Sequence, residues 1–476
     1  MHARFVVLGA LLAACGSGVA PAPKVHSATR ATPPAAVAAW TTPAVDVAPS
    51  PPPDPAEWLR ARLPEGGAIA SGDPPSVRHT VRPNESAISI ARAYVALTEV
   101  YLAEDLAIAM LEANPQMKCA QCPGGVRVAT GMELTIPRVL REAPPPPTRL
   151  PASDEPSKGI FFVGASAGRP WIPSLERLKA RGLNAIVLDG KDYMGPVTYP
   201  SKVAQAIETG ATKGAPISDL ARAIRFAHQY GVRVIIRNSC FHDPWAAEKA
   251  PRLSVRGNWG GAYPIGWLDP ANPEVHEYIH GLVAEELDAG ADEIQLDYVR
   301  YPVQPGLGNA DFKVHMNGRT RVEVIRDFVR GVHELTKARG VPLSIDVFGV
   351  TSTGTREDID NLGQDLAVLG HEVEFVMPMV YPSHYGTGFY GWEIPGDHPE
   401  IVGIGSKAAI DILAKAGAPA KVRPWLQAFP WKSPTYGPKY IADEAASADA
   451  AGTSGWIAWN PGSEYSVFWQ ALPAKR

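Results

Sequence analysis

This sequence lacks an excess of charge of either sign. It has 45 lysine and arginine residues against 49 acidic ones, for a net charge of -4 over 476 residues. No basic stripe is present, which argues against nucleic acid as a partner. With 45% hydrophobic and 20% charged residues, the composition is that of a globular chain long enough for two or three domains.

The N-terminus lacks an apolar run long enough to cross a bilayer. Residues 1–15 have a basic start and a short apolar stretch, which indicates a secretory signal. The small residues before Cys15 resemble a bacterial lipobox, whose cysteine is diacylated and becomes the mature N-terminus. This resemblance implies lipidation at Cys15 and a periplasm-facing anchor in the cell envelope, with the outer membrane favoured. A soluble signal that merely contains a cysteine is the alternative.

Cysteine is scarce, with four residues in the chain. Cys119 and Cys122 form one C-x-x-C pair, and no second pair completes a zinc site. In an exported protein this spacing favours a small disulfide loop. Cys240 has no partner in the pattern and is predicted to be structural.

Proline, in contrast, is abundant and clustered, and it divides the chain. Residues 16–77 are rich in proline, alanine and serine and are predicted to be a disordered tether. A second proline-rich linker covers residues 141–157. Between them, residues 78–140 read as strand, helix, helix and strand, and they resemble a LysM module in "HTV", "SIA", "LEANP" and "GMELTIP". The resemblance implies binding to N-acetylglucosamine-containing glycans such as peptidoglycan; a degenerate spacer is the alternative.

Residues 158–472 lack the glycine-rich phosphate loop of a doubly wound nucleotide-binding sheet. Strand-like and helical runs alternate there, and several helical runs end in glycine. We therefore predict an α/β fold, a (β/α)₈ TIM barrel. The eight strand-like runs are "GIFFVGA", "NAIVLDG", "VRVIIRN", "EIQLDYV", "LSIDVFG", "EFVMPMVY", "VRPWLQAF" and "GWIAWN".

Polar and aromatic side chains collect at the predicted carboxyl ends of these strands, where barrel enzymes have their active sites. The separated motifs "LDGKDYMGPVTYPS", "EIQLDYVRYP", "VFGVTS", "PMVYPSHY", "RPWLQAF" and "GWIAWNP" resemble a family of bacterial barrels named as glycoside hydrolases of unknown substrate. Glycoside hydrolysis needs two carboxyl groups, and Asp297 and Asp346 are the candidates because they end neighbouring strands. The predicted substrate-binding residues are Asp189, Lys191, Arg237, His242, Arg300, Tyr381, His384, Trp425, Gln427 and Trp459.

The sixth strand lacks the acid that related barrel glycosidases carry there. Glu393 and Asp243 are alternative acids, and an ion pair of Asp297 with Arg300 or Arg237 is the structural alternative to catalysis. No H-E-x-x-H spacing or G-x-S-x-G turn occurs, so we predict no metal, no cofactor and no serine nucleophile.

The sequence is compatible with three classes of function. The first is a glycosidase of envelope or other polysaccharide. The second is a barrel that binds sugars without catalysis, and a purely structural wall anchor is a third, weaker option.

Overall fold

The computed structural model describes residues 55–70, 76–140, 142–166 and 171–474. Its contacts divide the chain into two units, one with the described residues up to Pro145 and one from Pro146 onward. The predicted signal, Cys15 and the tether up to residue 54 lie outside the described residues. Within the described ranges, no helix is both long enough and apolar enough to span a bilayer.

The N-terminal unit contains a three-stranded antiparallel sheet with β2 in the centre. The buried side chains of Val77, Ile90, Leu106 and Leu134 belong to its core. A disulfide joins Cys119 and Cys122. Its elements are α1 (Pro55–Arg60), β1 (Gly67–Ala70), β2 (Ser76–Thr80), α2 (Ala87–Tyr94), α3 (Ala103–Ala113) and β3 (Glu133–Ile136).

The prediction of a disordered tether up to residue 77 is wrong for residues 55–70. Leu59 of α1 is buried in the core of this unit, and β1 pairs with β2 from Gly67↔His79 to Ala70↔Ser76. The sequence of β1, "GAIA", has weak intrinsic strand propensity. Pairing with β2 therefore accounts for this strand, and composition could not reveal it.

The C-terminal unit is built on a curled parallel sheet of nine strands, ordered β12-β11-β10-β8-β6-β5-β4-β14-β13. Each of the eight predicted strands is present, and the seventh is divided into β12 and β13 by Arg423 and Pro424. The strands are β4 (Ser157–Phe162), β5 (Ala185–Lys191), β6 (Arg233–Ser239), β8 (Glu293–Asp297), β10 (Leu343–Phe348), β11 (Phe375–Met379), β12 (Lys421–Val422), β13 (Trp425–Gln427) and β14 (Gly455–Trp459).

Helices follow the strands along the chain, as the alternating pattern predicts. For example, α9 begins with a capping box between Thr320 and Glu323, and α13 ends at Gly417, whose φ of 66° suits a residue without a side chain. The helices are α4 (Trp171–Arg181), α5 (Ala204–Thr209), α6 (Leu220–Gln229), α7 (Pro244–Lys249), α8 (Pro273–Asp288), α9 (Arg321–Ala338), α10 (Val350–Thr353), α11 (Arg356–Leu362), α12 (Leu366–Leu369), α13 (Ile401–Ala416), α14 (Pro438–Ala450) and α15 (Ser466–Ala471).

Two short strands lie in the loops that follow β6 and β8. β7 (Arg256–Gly257) and β9 (Ala310–Asp311) pair with each other in an antiparallel ribbon. Neither strand was predicted, because a two-residue strand has no readable alternation.

The interior of the curled sheet is apolar in the middle and polar toward the carboxyl ends of the strands. Phe161, Val187, Ile235, Met377 and Ile457 form the apolar core. Burying each of these side chains contributes about 1.5–3 kcal/mol. This layer supports the polar side chains that follow it along the same strands.

Candidate active site

Arg237 on β6 is the centre of the polar layer at the strand ends. Its Nε and Nη2 atoms donate to Oδ2 of Asp297 at 3.0 and 2.5 Å. Its Nη1 donates to Oδ1 of Asp189. The guanidinium also lies over the ring of Phe161, with 5.1 Å from Cζ to the ring centroid. The buried guanidinium of Arg237 therefore binds carboxylates from β5 and β8, the two strands that flank β6.

Asp297 ends β8 and faces the interior of the curled sheet, as the alternation of "EIQLD" predicts. Asp297 is 6% exposed to solvent. The backbone amide of Tyr298 donates to its Oδ1 at 2.5 Å, and Tyr298 adopts a φ of 48°. A positive φ is uncommon for a bulky residue and typically costs about 1–3 kcal/mol. Such strained positions cluster at functional sites, so Tyr298 marks the end of β8 as a candidate for one.

Asp346 on β10 is more deeply buried, at 1% exposure. Its Oδ1 accepts hydrogen bonds from Nε2 of Gln295 and Nε1 of Trp425, both at 2.7 Å. Its Oδ2 has no hydrogen-bond partner among the described residues. Burial, and next the charge of Asp297, raise the pKa of Asp346 well above its usual range, although Arg237 lowers it. The surroundings of Asp346 therefore favour its protonated form.

The two predicted catalytic carboxyl groups lie close together. Oδ2 of Asp297 is 3.0 Å from Nε of Arg237, and Oδ2 of Asp346 is 3.7 Å from the same atom. The two oxygens are therefore separated by at most the sum of these distances, 6.7 Å. Carboxyl groups of retaining glycosidases are about 5–5.5 Å apart, whereas those of inverting enzymes are about 6.5–9.5 Å apart. The observed limit leaves room for the retaining separation and excludes most of the inverting range.

Asp189 and Lys191 on β5 are buried components of the site. Burial raises the pKa of Asp189 to about 7, although the charge of Arg237 lowers it. Nζ of Lys191 is 2.8 Å from Oδ2 of Asp243 and 2.9 Å from the carbonyl oxygen of Ser239. Asp243 also accepts the amide of Ala246 at the start of α7. Lys191 and Asp243 thus hold the loop after β6, and this pairing makes Asp243 a poor candidate for the acid.

Two groups of aromatic rings lie next to the carboxylates. The first aromatic cluster has ring centroids 5.0–6.5 Å apart and consists of Tyr193, His242, Trp267 and Tyr298. The second aromatic cluster has centroids 5.2–6.2 Å apart and consists of Tyr381, His384, Phe429, Trp431 and Trp459. Rings of this kind provide apolar faces with polar edges, which suit sugar rings.

Several residues predicted to bind substrate are instead structural where the structure places them. Gln427 is fully buried, accepts the amide of Ser383 at 3.0 Å and donates to Oγ of Ser433 at 2.8 Å. Trp425 is buried with its indole nitrogen bonded to Asp346, and Lys191 is buried in its ion pair. Sequence alternation identifies an inward-facing position but not the depth at which it lies.

Arg300 is also enclosed. Its guanidinium lies between the rings of Trp267 and Phe348, at 4.7 and 4.2 Å from their centroids. Burial lowers its pKa to about 10. Its Nη1 donates to the carbonyl oxygen of Tyr301, and of the two arginines considered as ion-pair partners of Asp297 it is Arg237 that forms the pair. Of the predicted substrate contacts, His384 is exposed, and His242 and Trp459 are partly exposed.

Glu286 on α8 supports the site from behind and was not predicted. Its Oε2 accepts a hydrogen bond from Nδ2 of Asn238 at 2.6 Å. A side chain at Gly190 would place a Cβ 2.2 Å from Oε1 of Glu286, so glycine leaves the space for this carboxyl group. Burial raises the pKa of Glu286 to about 8, against the hydrogen bonds from Asn238 and Tyr199 that lower it. An acidic residue on an amphipathic helix usually faces solvent, so the sequence held no signal for this role.

The raised pKa of Glu286 predicts a dependence of stability on pH. Between its ordinary value of about 4.3 and about 8, the folded chain keeps a proton that the unfolded chain releases, so the free energy of unfolding falls as pH rises, by up to about 1.4 kcal/mol per pH unit. Glu286→Gln is neutral throughout, and we expect a shallower slope. Denaturant unfolding at pH 5, 6.5 and 8 measures the difference. Equal slopes in the two proteins would refute the assignment.

No group of three or more His, Cys, Asp or Glu side chains is placed to hold a metal ion in the described ranges. The arrangement of the site is thus one of paired carboxylates, a buried cation and flanking rings. Carboxyl groups in such an arrangement can transfer protons or attack an electrophilic carbon.

One family model and several solved structures are similar to this chain. A family model described as "Putative glycosyl hydrolase domain" matches residues 159–465. No curated protein matches the chain. Similar solved structures include a hypothetical protein from Ruminiclostridium thermocellum ATCC 27405, with 30% identity, a TM-score of 0.36 and coverage of 40% of this chain and 97% of that one.

Two further similar structures are named enzymes. Alpha-L-fucosidase isoenzyme 2 from Paenibacillus thiaminolyticus has 18% identity and a TM-score of 0.45, over 67% of this chain and 48% of that one. The catalytic domain of beta-amylase from Paenibacillus polymyxa has 12% identity and a TM-score of 0.43, over 68% of this chain and 100% of that one. This chain thus spans about half of the fucosidase chain.

A curled parallel sheet with carboxylates at the carboxyl ends of its strands defines an α/β enzyme that works at that edge. Within this class, the chain belongs to the family of glycosyl hydrolase domains, as the match over residues 159–465 shows. The predicted enzyme class, a glycosidase, is confirmed at the level of the family.

Proposed function

We propose that this protein hydrolyses glycosidic bonds of a cell-envelope or other polysaccharide with retention of configuration. The observation that carries the proposal is the pair formed by Asp297 and Asp346, whose Oδ2 atoms both lie within 3.7 Å of Nε of Arg237. We further propose that the sheet is a closed (β/α)₈ barrel. Only Arg423 and Pro424 separate its edge strands, and the amide of Ile457 on β14 donates to the carbonyl oxygen of Pro424.

The proposed roles of the two acids follow from their surroundings. Asp297 lies at the end of β8 and receives two hydrogen bonds from Arg237 that fix its carboxyl group, and we assign it as the nucleophile that attacks the anomeric carbon. Burial favours the protonated form of Asp346, which gives its proton to the departing glycosidic oxygen. In the second step, Asp346 takes a proton from water, and the hydroxide displaces Asp297 from the sugar.

Substrate binding is assigned to the open side chains of the two aromatic clusters. His242 and Tyr193 stand on one side, where His242 Nδ1 is fixed by the carbonyl oxygen of Tyr193 at 2.6 Å. His384, Trp431 and Trp459 stand in the second cluster. A glycan bound between these two clusters would place a sugar ring next to Asp297.

A barrel that binds sugars without catalysis is the second candidate, and one observation favours it. Asp189 and Asp297 are both buried and paired with Arg237, which is the arrangement expected of structural carboxylates. Membership in a glycosyl hydrolase family supports catalysis instead. The two candidates differ in whether replacing Asp297 abolishes product release or only weakens binding.

The envelope location is part of the proposal. Residues 76–140 contain the β2-α2-α3-β3 order of the LysM resemblance. Glu85 bonds Nε2 of buried His79 at 2.7 Å, and Ser86 caps α2. We propose that this unit binds peptidoglycan and that lipidation at Cys15 anchors the chain. Pelleting with purified sacculi, with and without residues 55–140, tests the first part; membrane fractionation of Cys15→Ser tests the second.

The test of the proposed activity is a panel of digests with the full chain. The polymers are peptidoglycan glycan strands, glycol chitin, starch, galactan and xylan, and the measurement is the release of new reducing ends. We expect release from at least one polymer. If the wild-type chain releases none from any of them, the proposed activity is refuted for these classes of glycan.

A further inference from the structure

A hairpin begins next to the first aromatic cluster and takes no part in the proposed reaction. The rim hairpin, residues 254–268, has bridges between Ser254 and Leu268 and between Arg256 and Ala262. Its base bridges to His242 through Trp267, whose ring is 6.0 Å from that of Tyr298. Its outer part is held by the ribbon of β7 with β9 and by a hydrogen bond of 2.9 Å from the amide of Asn258 to the carbonyl oxygen of Asn309. It is therefore a braced extension of the strand-end face.

Trp259, in the turn of the rim hairpin, is 59% exposed. Its ring lies against the backbone of two glycines. A Cβ on Gly257 would be 2.6 Å from the ring, and one on Gly261 would be 2.7 Å from the indole nitrogen. Neither glycine has a positive φ, so their lack of a side chain serves the close approach of the indole rather than the backbone conformation.

The neighbours of Trp259 fix the ring and surround it with polar groups. Tyr263 lies 5.6 Å away, centroid to centroid, and its hydroxyl group donates to the carbonyl oxygen of Gly306. The amides of Asn258 and Asn309 lie exposed in the same ribbon. A flat indole that is held on one side, open on the other and bordered by amides matches a sugar ring, with its apolar face and its rim of hydroxyl groups.

We propose that Trp259 is the platform of an outer carbohydrate subsite, which stacks against a sugar ring of a long glycan whose bond is cut at Asp297. On the extended arm of the hairpin, the three steps from Ser254 to Gly257 span roughly 10 Å at the rise of a strand, and Trp259 follows in the turn, so this subsite lies beyond the sugars next to the cut bond. The inference rests on the proposed glycosidase activity and adds to it a preference for polymeric over short substrates.

The test uses initial-rate kinetics of the full chain on the polymer from the panel that it cleaves best. We expect Trp259→Ala to raise KM about tenfold, with a much smaller effect on kcat, because one stacking contact is lost far from the cut bond. Trp259→Phe keeps an aromatic face and should restore most of the affinity. Gly261→Ala keeps Trp259 but adds a methyl group where the indole ring packs against the backbone. The ring must then move, so this variant should also raise KM.

Ile207→Ala is the matched control, because Ile207 is 60% exposed on α5 and lies outside the rim hairpin. Its KM should equal that of the wild type. Cleavage by the wild type with an unchanged KM in both Trp259→Ala and Gly261→Ala would overturn the subsite while leaving the activity intact. Absence of cleavage by the wild type across the panel would overturn the activity itself, and the subsite with it.

Discussion

Asp297→Asn is expected to lower kcat on the cleaved polymer by on the order of 10⁴-fold, with little change in the fold. Asparagine has nearly the same shape, and its carbonyl oxygen can still accept a hydrogen bond from Arg237. It cannot, however, form the ester with the anomeric carbon. Release of reducing ends measures the rate, and thermal unfolding measures the stability of the same preparation.

Asp288→Asn is the control for this substitution, since Asp288 also pairs with an arginine, Arg339, but on the exposed surface. Its kcat should match that of the wild type. If Asp297→Asn releases product as fast as the wild type does, Asp297 is a structural partner of Arg237, and the nucleophile lies elsewhere. If the Asp297→Asn variant binds glycan and the wild type releases no product, a barrel that binds sugars without catalysis is the better description.

Arg237→Met should have the largest effect on stability, a loss of about 3–5 kcal/mol in the free energy of unfolding at pH 7. The substitution preserves most of the volume but leaves Asp189 and Asp297 buried without their cation. Arg330→Met is the matched control, because Arg330 pairs with Glu372 at the surface, and exposed pairs contribute about 0–1 kcal/mol. Denaturant unfolding of the three proteins compares these losses.

The loss of stability in Arg237→Met should also depend on pH. Burial already raises the pKa of Asp189 to about 7 in the presence of Arg237, and removing the cation raises this pKa further. In the folded variant the carboxyl groups then hold protons that the unfolded chain releases above its own pKa of about 3.9, so stability falls as pH rises. We expect a larger deficit at pH 8 than at pH 5. A deficit that is equal at both values would contradict the role given to Arg237.

The strands and the strand-end acids could be predicted because their causes are local. "EIQLD" alternates along one strand, so Gln295 and Asp297 share a face, and the position of Asp297 at the end of the strand is visible in the sequence. The pairing of β8 with β10 likewise follows from the order of parallel strands. These local rules located Asp297 and Asp346 but could not assign a depth to either residue.

The choice of Arg237 as the partner of both Asp297 and Asp189 could not be predicted, because these contacts join residues about 50–60 positions apart. The sequence offered Arg300 and Arg237 equally as partners of Asp297, and tertiary packing chose between them by enclosing Arg300 between two rings. The same limit applies to Gln427, whose burial depends on the loops that close over it, and to β1, which exists through its pairing with β2. Trp259 gave no signal either, since its role depends on the two glycines under its ring.

The anomeric configuration of the first product tests the central claim most directly. Proton NMR spectra recorded during the early part of a digest show whether the new reducing end has the configuration of the bond that was cut. Attack by Asp297 followed by attack of water gives two displacements, and so the account predicts retention. A product that first appears with the opposite configuration would mean a single displacement by water, and would contradict the role of Asp297 as the nucleophile.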